Sequence, residues 1–516
     1  MIEKGSYAYD WLVKQRTEAG LSSFFSPEKT KLGDHFEEAM VFLEEAIRES
    51  ALVWLYGDYD PDGMISTVLM EEFLLGQGLS VEVTIPKRTL GYGLSAEAVH
   101  RRGKAPSGGC LVVLDSGTNG QEALEEAIRQ GWKILIVDHH PVQDASFFPR
   151  EGVTLWNPHA CGGSTETCTG MMVGFLLRGM AKRGYALGDR LEKRLLPMTS
   201  MTIVSDVVSL RGYPRIILRQ GLEAMAHWDD PAWTVMKQGL FDSLSETSLA
   251  FGVNPILNAT SRLGSPELAY RFLRGGSLQT WKKMQVMRKE VQTLVRAAMK
   301  MAEPLAKVQE DDPGLFLYLP NLHAGIVGIV AGRLAEKYQK PTVVLTRGAK
   351  KETVTGSGRS PAGGFSLVLA DLQTYFHAGG HDKAIGLHGP LAEHKKTQAL
   401  FMEGLWREQK AKRLPILEKV TADYVIDASK ATEVFADLGR LRPFGEGNRS
   451  PKIGMKLSVV GAPMLYASGY GNAKEKHGFS LFLQPGTAEA VVNGDEVWGT
   501  FSGNPKDGFQ FTVEGS

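Results

Sequence analysis

The sequence predicts an α/β protein with a parallel-sheet domain, a smaller α/β domain reached through a long helix, and a small C-terminal β-barrel. Three observations carry that expectation. Apolar strand-like runs alternate with amphipathic helical runs from residue 31 to residue 140, the alternation resumes at LFLYLP after a helical pattern from Leu278 to Val308, and beyond Val420 short strands, glycines and turn signals take over. A chain of 516 residues is also too long for one ordinary core.

Taken in order, KLGDHFEEAMVFLEEAIRES carries apolar residues at helical spacing with acids on the other face, and the strand-like LVWLYGD follows. MISTVLMEEFLLGQG then reads as a helix, VEVTIP and CLVVLDSG as strands, QEALEEAIRQG as a helix closed by Gly131, and KILIVDHH as a strand. Strands alternating with helices imply parallel βαβ units, whose ligand site lies beyond the carboxyl ends of the strands. A mostly helical stretch runs from Thr169 to about Leu244. The helix from Leu278 to Val308 bears Lys282, Lys283, Arg288, Lys289 and Arg296 and bridges two domains. The second α/β pattern contains the Gly-rich GSGRSPAGG and HAGGHDKAIGL, and the basic linker REQKAKR leads to the C-terminal portion. The resulting division is an N-terminal extension (1–40), a first α/β domain (41–275), a connecting helix (276–308), a second α/β domain (309–405) and a β-domain (406–516).

Lys+Arg and Asp+Glu both total 58, so there is no global positive field, and a polyanion must be held by local basic patches and metal ions. Cys110, Cys161 and Cys168 form no CxxC pair and are too few for a disulfide framework, which fits a reducing cytoplasm and argues against structural zinc. No charged-then-apolar leader and no membrane-length apolar run occurs, so the expectation is a cytoplasmic protein with no membrane partner.

The acids occupy telling positions. Asp58 follows LVWLYG, Asp115 follows LVVL, and Asp138-His139-His140 follow ILIV, so three strands deliver carboxylate or imidazole to the same edge of one sheet. Oxygen and imidazole donors without thiolate suit manganese or magnesium, and converging acids repel one another unless cations sit among them. DxDxD alone reads as well as an Asx-rich turn, and a lone His as a structural residue; the coincidence of the three motifs points to a metal site. In GSGRS the glycines expose backbone amides and Arg359 offers a planar fork for phosphate.

GDYDPDG, LDSG, VDHH, TIVSDVVSL and HAGGH, in this order, resemble the successive motifs of the DHH phosphoesterase family. RTLGYGLS, NPILNATSRLG, HAGIVGIVAGRLAEKYQKPTVVLT and GSGRS make the chain similar to that family's RecJ-like single-strand-specific exonucleases, from about Phe25 to near Lys452. The resemblance implies a DHH domain, a DHH-associated domain and an OB-fold. It also implies two Mn2+ or Mg2+ ions held by Asp58, Asp60, Asp115, His139, His140 and Asp206, with Asp60 bridging them. Such ions, ~3.5–4 Å apart, clamp a scissile phosphate and acidify a water. Catalytic parts fall to Asp60, His139, His381 and Arg262; Asp62 caps the following helix or holds the turn, and Asp138 orients the imidazoles.

By the same resemblance Ser357, Arg359, Arg88, Tyr92 and Arg262 grip the 5′ end, and His381 stands at the reacting phosphate. Asn258 and His323 fall in matched motifs, each equally well a structural hydrogen-bonder. Tyr92, Phe365 and Phe444 are candidate stacking platforms, and Arg440, Arg442, Arg449 and Lys452 a candidate basic path for the strand. Two departures stand out: Tyr56 occupies the usual place of a His, which would weaken one ion's site, and Pro61 replaces an Ala. The implied activity is 5′ to 3′ hydrolysis of single-stranded DNA to 5′-mononucleotides in recombination or repair, by a monomer working beside a single-strand-binding protein or helicase. The alternatives are a phosphodiesterase of short oligonucleotides or cyclic dinucleotides, and a non-catalytic replication scaffold.

Overall fold

The computed structural model describes residues 31–88, 91, 93–240, 243–415, 422–465, 470–504 and 508–515. They fall into two compact units, one containing Glu37–Ala160 and Pro255–Glu418, the other Cys161–Asn254 and Lys419–Ser516. The helical stretch 161–254 thus groups with the C-terminal β-domain.

The first unit begins with α1 (Phe36–Arg48), β1 (Leu52–Tyr56), α2 (Pro61–Gly76), β2 (Ser80–Thr84), α3 (Ala96–Arg102), β3 (Cys110–Leu114), α4 (Gln121–Arg129), β4 (Lys133–Val137) and β5 (Val153–Trp156). Its strands form a parallel sheet of order β2-β1-β3-β4-β5. The chain steps from β1 to β2 on one side and then returns to β3 on the other, so the loops after β1 and β3 part in opposite directions and open a crevice at their carboxyl ends. LVWLY, CLVVL and KILIV are nearly continuous apolar runs because both faces of the sheet are covered. On one face Trp54, Leu111, Val113 and Ile134 pack with Val99, Leu124 and Ala127 from α3 and α4. Among the described residues no helix is long and apolar enough to cross a membrane, and Cys110, Cys161 and Cys168 are buried thiols not joined in disulfides.

The N-terminus of α2 corrects one expectation. The cap is Asp60, whose carboxylate accepts from the Gly63 N–H at 3.1 Å, rather than Asp62. Pro61, with φ fixed near the helical value and no N–H to satisfy, takes the first helical position and draws Asp62 inside the first turn.

The unit continues with α5 (Asn254–Arg262), α6 (Pro266–Gly275) and the 31-residue α7 (Leu278–Val308), which buries Trp281, Met284, Met287, Val291, Val295, Ala298 and Ala302 at three- and four-residue intervals. After it come β6 (Leu315–Tyr318), α8 (Val327–Tyr338), β7 (Thr342–Arg347), β8 (Thr353–Arg359), α9 (Phe365–Gln373), β9 (His377–His381), β10 (Ala384–Pro390) and α10 (His394–Lys410). The second sheet has the order β6-β7-β8-β10-β9, antiparallel except for β6 with β7. One face buries Phe316, Val343, Leu345, Ile385 and Leu387 with residues of α9 and α10; Phe365, a candidate stacking platform, lies in this core. The opposite face, over β6 and β7, is covered by α7 and α8.

The second unit contains helices Thr169–Lys182, Asp189–Ser205 and Gly212–Ala226. The small β-domain expected after Val420 is a seven-stranded mixed sheet made of β11 (Tyr424–Asp427), β12 (Ile453–Lys456), β13 (Met464–Leu465), β14 (Gly471–Lys474), β15 (Ser480–Leu483), β16 (Glu496–Asn504) and β17 (Gly508–Gly515). Their order is β11-β12-β16-β17-β15-β14-β13.

The LRPFGEGN segment is a joint inside this unit. Arg215 donates through Nη2 to the carbonyls of Leu441 (3.1 Å) and Arg442 (2.9 Å), Leu210 N–H donates to Glu446 O (2.7 Å), and Phe444 N–H donates to Glu246 Oε1 (3.0 Å). Phe444 packs against the β-domain core. Of the candidate basic path, Arg449 pairs with Asp423, Lys452 pairs with Glu514 and lies 5.3 Å over the Trp498 ring, and Arg442 lies 5.9 Å over Phe444. Replacing Arg215 by Ala takes a donor from two carbonyls, of which Leu441 O keeps Asn448 Nδ2 at 2.9 Å, so Arg215→Ala is expected to destabilise this unit by about 1–3 kcal/mol. A lower urea midpoint with an unchanged slope is the expected reading, and an unchanged midpoint counts against the joint.

Candidate metal centre

The crevice between β1 and β3 is where the site assembles. After β1 the chain turns at Gly57 into Asp58, and α2 returns so closely that a Cβ at Gly63 would sit 2.7 Å from the Asp58 Cβ. Only glycine permits that approach. Directly after β3, Asp115 adopts φ +63°, a conformation uncommon for a non-glycine residue, held by its N–H on Val137 O at 3.0 Å. Asp138, His139 and His140 follow β4.

One metal-ligating atom from each of Asp58, Asp60 and Asp115 lies within 4.8 Å of the others, and the same holds for Asp115, His139 and His140. Asp115 is common to both groups because β3 lies between β1 and β4 in the sheet. The resemblance put the bridge at Asp60; the geometry gives the shared place to Asp115, while one Asp60 oxygen caps α2. An Asp62 oxygen approaches a ring nitrogen of His139 within 4.8 Å, a proximity that its sequence position does not disclose.

The residues fit a divalent cation. Asp58 and Asp115 are only 1% and 2% exposed, and Asp58 Oδ1 has no hydrogen-bond partner among the described residues. Burial, and then the neighbouring Asp60 charge, push the Asp58 carboxyl well above the usual range, so in the bare fold it resists ionisation. Burial and His140 push His139 down to about 3, which keeps its imidazole neutral and able to coordinate. Carboxylate oxygens and imidazoles without thiolate match manganese or magnesium.

Asp138 holds the second imidazole. His140 Nδ1 lies 2.8 Å from Asp138 Oδ1, and Thr118 N–H donates to Oδ2 at 3.2 Å. Burial opposes ionisation, yet these bonds and the His140 charge keep the Asp138 carboxyl below the ordinary range. With Nδ1 assigned as the donor, Nε2 is left for a ligand. Asn157, which follows β5, braces the loop by donating to His140 O and Thr118 Oγ1, both at 2.9 Å. It was missed in the sequence, although WNPH ends a strand at the same sheet edge.

Tyr56 supplies no ligand. Its hydroxyl donates to Gly93 O at 3.2 Å, its ring packs edge-on against Trp54 at 5.9 Å, and burial followed by the Asp58 charge pushes the phenol up to about 12. Strand alternation puts residues 54 and 56 on the same, core-facing side. Asp206 directly follows helix Asp189–Ser205 in the other unit, its N–H donating to Thr202 O at 2.9 Å.

Three arginines gather beside Tyr59. Arg88 lies 4.4 Å over the Tyr59 ring, Arg262 donates to Gly325 O at 2.8 Å, and Arg359 donates to Ser357 Oγ (2.6 Å) and Gly358 O (2.7 Å). Burial, with repulsion from Arg88 and Arg359, brings Arg262 down to about 10, and burial with Arg88 lowers Arg359 as well. All remain cationic at neutral pH, and their mutual repulsion is relieved by an anion. The His381 ring lies 6.2 Å from that of His140. His323 Nδ1 accepts from the Gly325 N–H (3.1 Å), a local structural bond, and half-buried Asn258 accepts the Ser261 hydroxyl on its carbonyl (3.1 Å). Tyr92 lies outside the described residues.

Residues 52–202 match the DHH family, N-terminal domain, and residues 311–402 match the DHHA1 domain. The chain is a DHH/DHHA1 protein. It is related to the single-stranded-DNA-specific exonucleases RecJ. With that of Thermus thermophilus this DHH/DHHA1 protein shares 27% identity over 422 residues, covering 80% of this chain and 60% of the relative. With that of Escherichia coli it shares 28% over 402 residues, covering 71% and 68%. The matched region thus spans less than two thirds of the Thermus protein. The fold matches the crystal structure of Thermus thermophilus RecJ in complex with Mn2+ (TM-score 0.80, 21% identity, 98% of this chain and 75% of that one) and its Mg2+ complex (TM-score 0.69, 20% identity, 99% and 73%).

Because the raised Asp58 carboxyl binds a proton in the fold that the unfolded chain has released, metal-free stability should fall as pH rises from about 4 toward the raised value. Asp58→Asn removes that buried charge. In chelator its melting temperature is expected to lie above that of the parent and to vary less with pH, while the rise produced by Mn2+ disappears. A Mn2+-induced rise retained by the variant would exclude Asp58 as a ligand.

Proposed function

We propose that this DHH/DHHA1 protein is a divalent-metal-dependent exonuclease that removes 5′-mononucleotides from the 5′ end of single-stranded DNA. The observation that carries the reading is the two ligand groups that share Asp115, one of three carboxylates and one of a carboxylate with two imidazoles, within one unit that also gathers Arg88, Arg262 and Arg359. The kinship with proteins named single-stranded-DNA-specific exonucleases supports the choice of substrate.

In this reading Asp58, Asp60, Asp115, His139 and His140 hold the cations, with Asp115 in the shared position. Bound there, Mn2+ or Mg2+ would neutralise charge on the phosphate and acidify a water. The chain's own residues do the rest. Arg88, Arg262 and Arg359, with Ser357, hold the terminal phosphate, so the strand enters with one polarity and one linkage reaches the acids. His381, whose protonation partial desolvation and then His140 and His159 oppose, presents a ring nitrogen to the reacting phosphate. Gln143 stands against β9, so close that a Cβ at Gly379 would lie 2.9 Å from its Nε2. A helicase or single-strand-binding protein would then supply the strand.

The test is digestion of single-stranded DNA labelled separately at each end, with Mn2+, Mg2+ or chelator. Mononucleotides should appear from the 5′ end first and vanish with chelator, and Asp115→Ala should lower the rate by about a thousandfold or more. Arg359→Ala should weaken use of a 5′-phosphorylated strand by about ten- to a hundredfold, and a 5′-hydroxyl strand less. Cleavage of cyclic dinucleotides but not strands, or strand binding without cleavage under either metal, would overturn the reading.

A further inference from the structure

The second sheet leaves half of one face bare. Register pairs Ala384 with His381, Gly386 with Gly379, and His388 with His377, so these six side-chain positions share a face. It is opposite to the face that buries Ile385 and Leu387. Helix α8 covers this side of the sheet only as far as β8, where a Cβ at Gly328 would lie 3.1 Å from Arg359 Nη2. Beyond β8, His377, His381, Gly386 and His388 are exposed, and a Cβ at Gly386 would meet nothing within 4 Å.

The two ends of this bare strip differ in chemistry. At one end His381 lies 6.2 Å from His140 of the metal centre. At the other, the His377 and His388 rings stack at 4.7 Å with planes 20° apart, and Lys350 sits in the turn before β8, its carbonyl accepting from the Thr353 N–H, while Thr353 pairs with Pro390 two residues beyond His388. Four strand residues separate the ends, about 13 Å at 3.3 Å per residue, roughly the span of two extended nucleotides. Gln143 Nε2 stands over the β9 side of this strip, 2.9 Å from where a Cβ at Gly379 would be, so the open floor runs along β10 past Gly386. There the lack of a side chain lets a sugar–phosphate backbone lie close, stacked imidazoles offer a flat π-face to a base, and a lysine offers charge to a phosphate.

We propose that the stacked His377–His388 pair, with Lys350, is a base-stacking subsite for the substrate strand, receiving a nucleotide on the 3′ side of those held at the metal centre. The occupant is single-stranded nucleic acid. The subsite rests on the exonuclease reading for its polarity, but not for strand binding itself. Its consequence is length dependence: a dinucleotide is too short to reach it, whereas longer strands gain affinity there without any change at the reacting phosphate.

The experiment compares the parent, a His377→Ala/His388→Ala protein and a His377→Phe/His388→Phe protein. Binding of a fluorescent strand of about ten nucleotides is measured in chelator, and hydrolysis of a 5′-phosphorylated dinucleotide and of the longer strand is measured with Mn2+. The Ala protein should bind the longer strand roughly five- to tenfold more weakly and show a correspondingly higher KM with an unchanged kcat. Its dinucleotide hydrolysis should match the parent, and the Phe protein should recover strand binding. Unchanged strand binding in the Ala protein, equal losses on the dinucleotide and the longer strand, or failure of Phe to recover binding would overturn the subsite. If the parent hydrolyses neither substrate while strand binding still depends on the pair, the exonuclease reading fails and the subsite stands.

Discussion

Asp58 and Asp115, almost wholly removed from water at neighbouring strand ends, bring their oxygens within 4.8 Å of each other. Two carboxylates so placed oppose one another's ionisation, and burial deepens the penalty. The surrounding structure depends on that arrangement being held and compensated. The reversal of strand order between β1 and β3 opens the space, Gly63 brings the start of α2 against Asp58, and a left-handed backbone at Asp115 turns the chain off β3. Asp138 and Asn157 fix the loop that carries His139 and His140.

The arginine group poses the mirror problem. Arg262 is drawn below its ordinary range by burial and by Arg88 and Arg359; it donates to the Gly325 carbonyl, and Arg359 donates to the Ser357 hydroxyl and the Gly358 carbonyl, all neutral acceptors. An excess of acid at the end of one sheet and an excess of base nearby, within the same unit, is the electrostatic pattern of a site for a phosphate with its cations. The long helix α7 and the sheet that follows it place Arg359 and His381 in that unit although more than two hundred residues separate them from Asp115 in sequence.

Much of this was legible in the sequence. Apolar runs of strand length ending in Asp or His disclosed both the parallel sheet and the edge where ligands gather, and helical periodicity disclosed α7 from Leu278 to Val308. Sheet order was not legible, so the shared position of Asp115 was not either: it follows from β3 lying between β1 and β4. Asp62 near His139 and Asp60 as the helix cap depend on how Pro61 starts α2, a shift of two residues that composition leaves open. Tyr56 looked like a damaged ligand position; strand alternation turns it into the core, onto Gly93 O. The hydrogen bonds of the LRPFGEGN segment go to Leu210, Arg215 and Glu246, partners at long sequence separation that no local pattern reveals.

The central claim, that one carboxylate joins two cation sites, is tested most directly by electron paramagnetic resonance during Mn2+ titration of the parent and of the Asp115→Asn and Asp60→Asn proteins. The account predicts a magnetically coupled pair of ions in the parent, loss of coupling with weakened binding at both sites in Asp115→Asn, and weakening at one site alone in Asp60→Asn. A coupled pair that survives in Asp115→Asn and disappears in Asp60→Asn would contradict it.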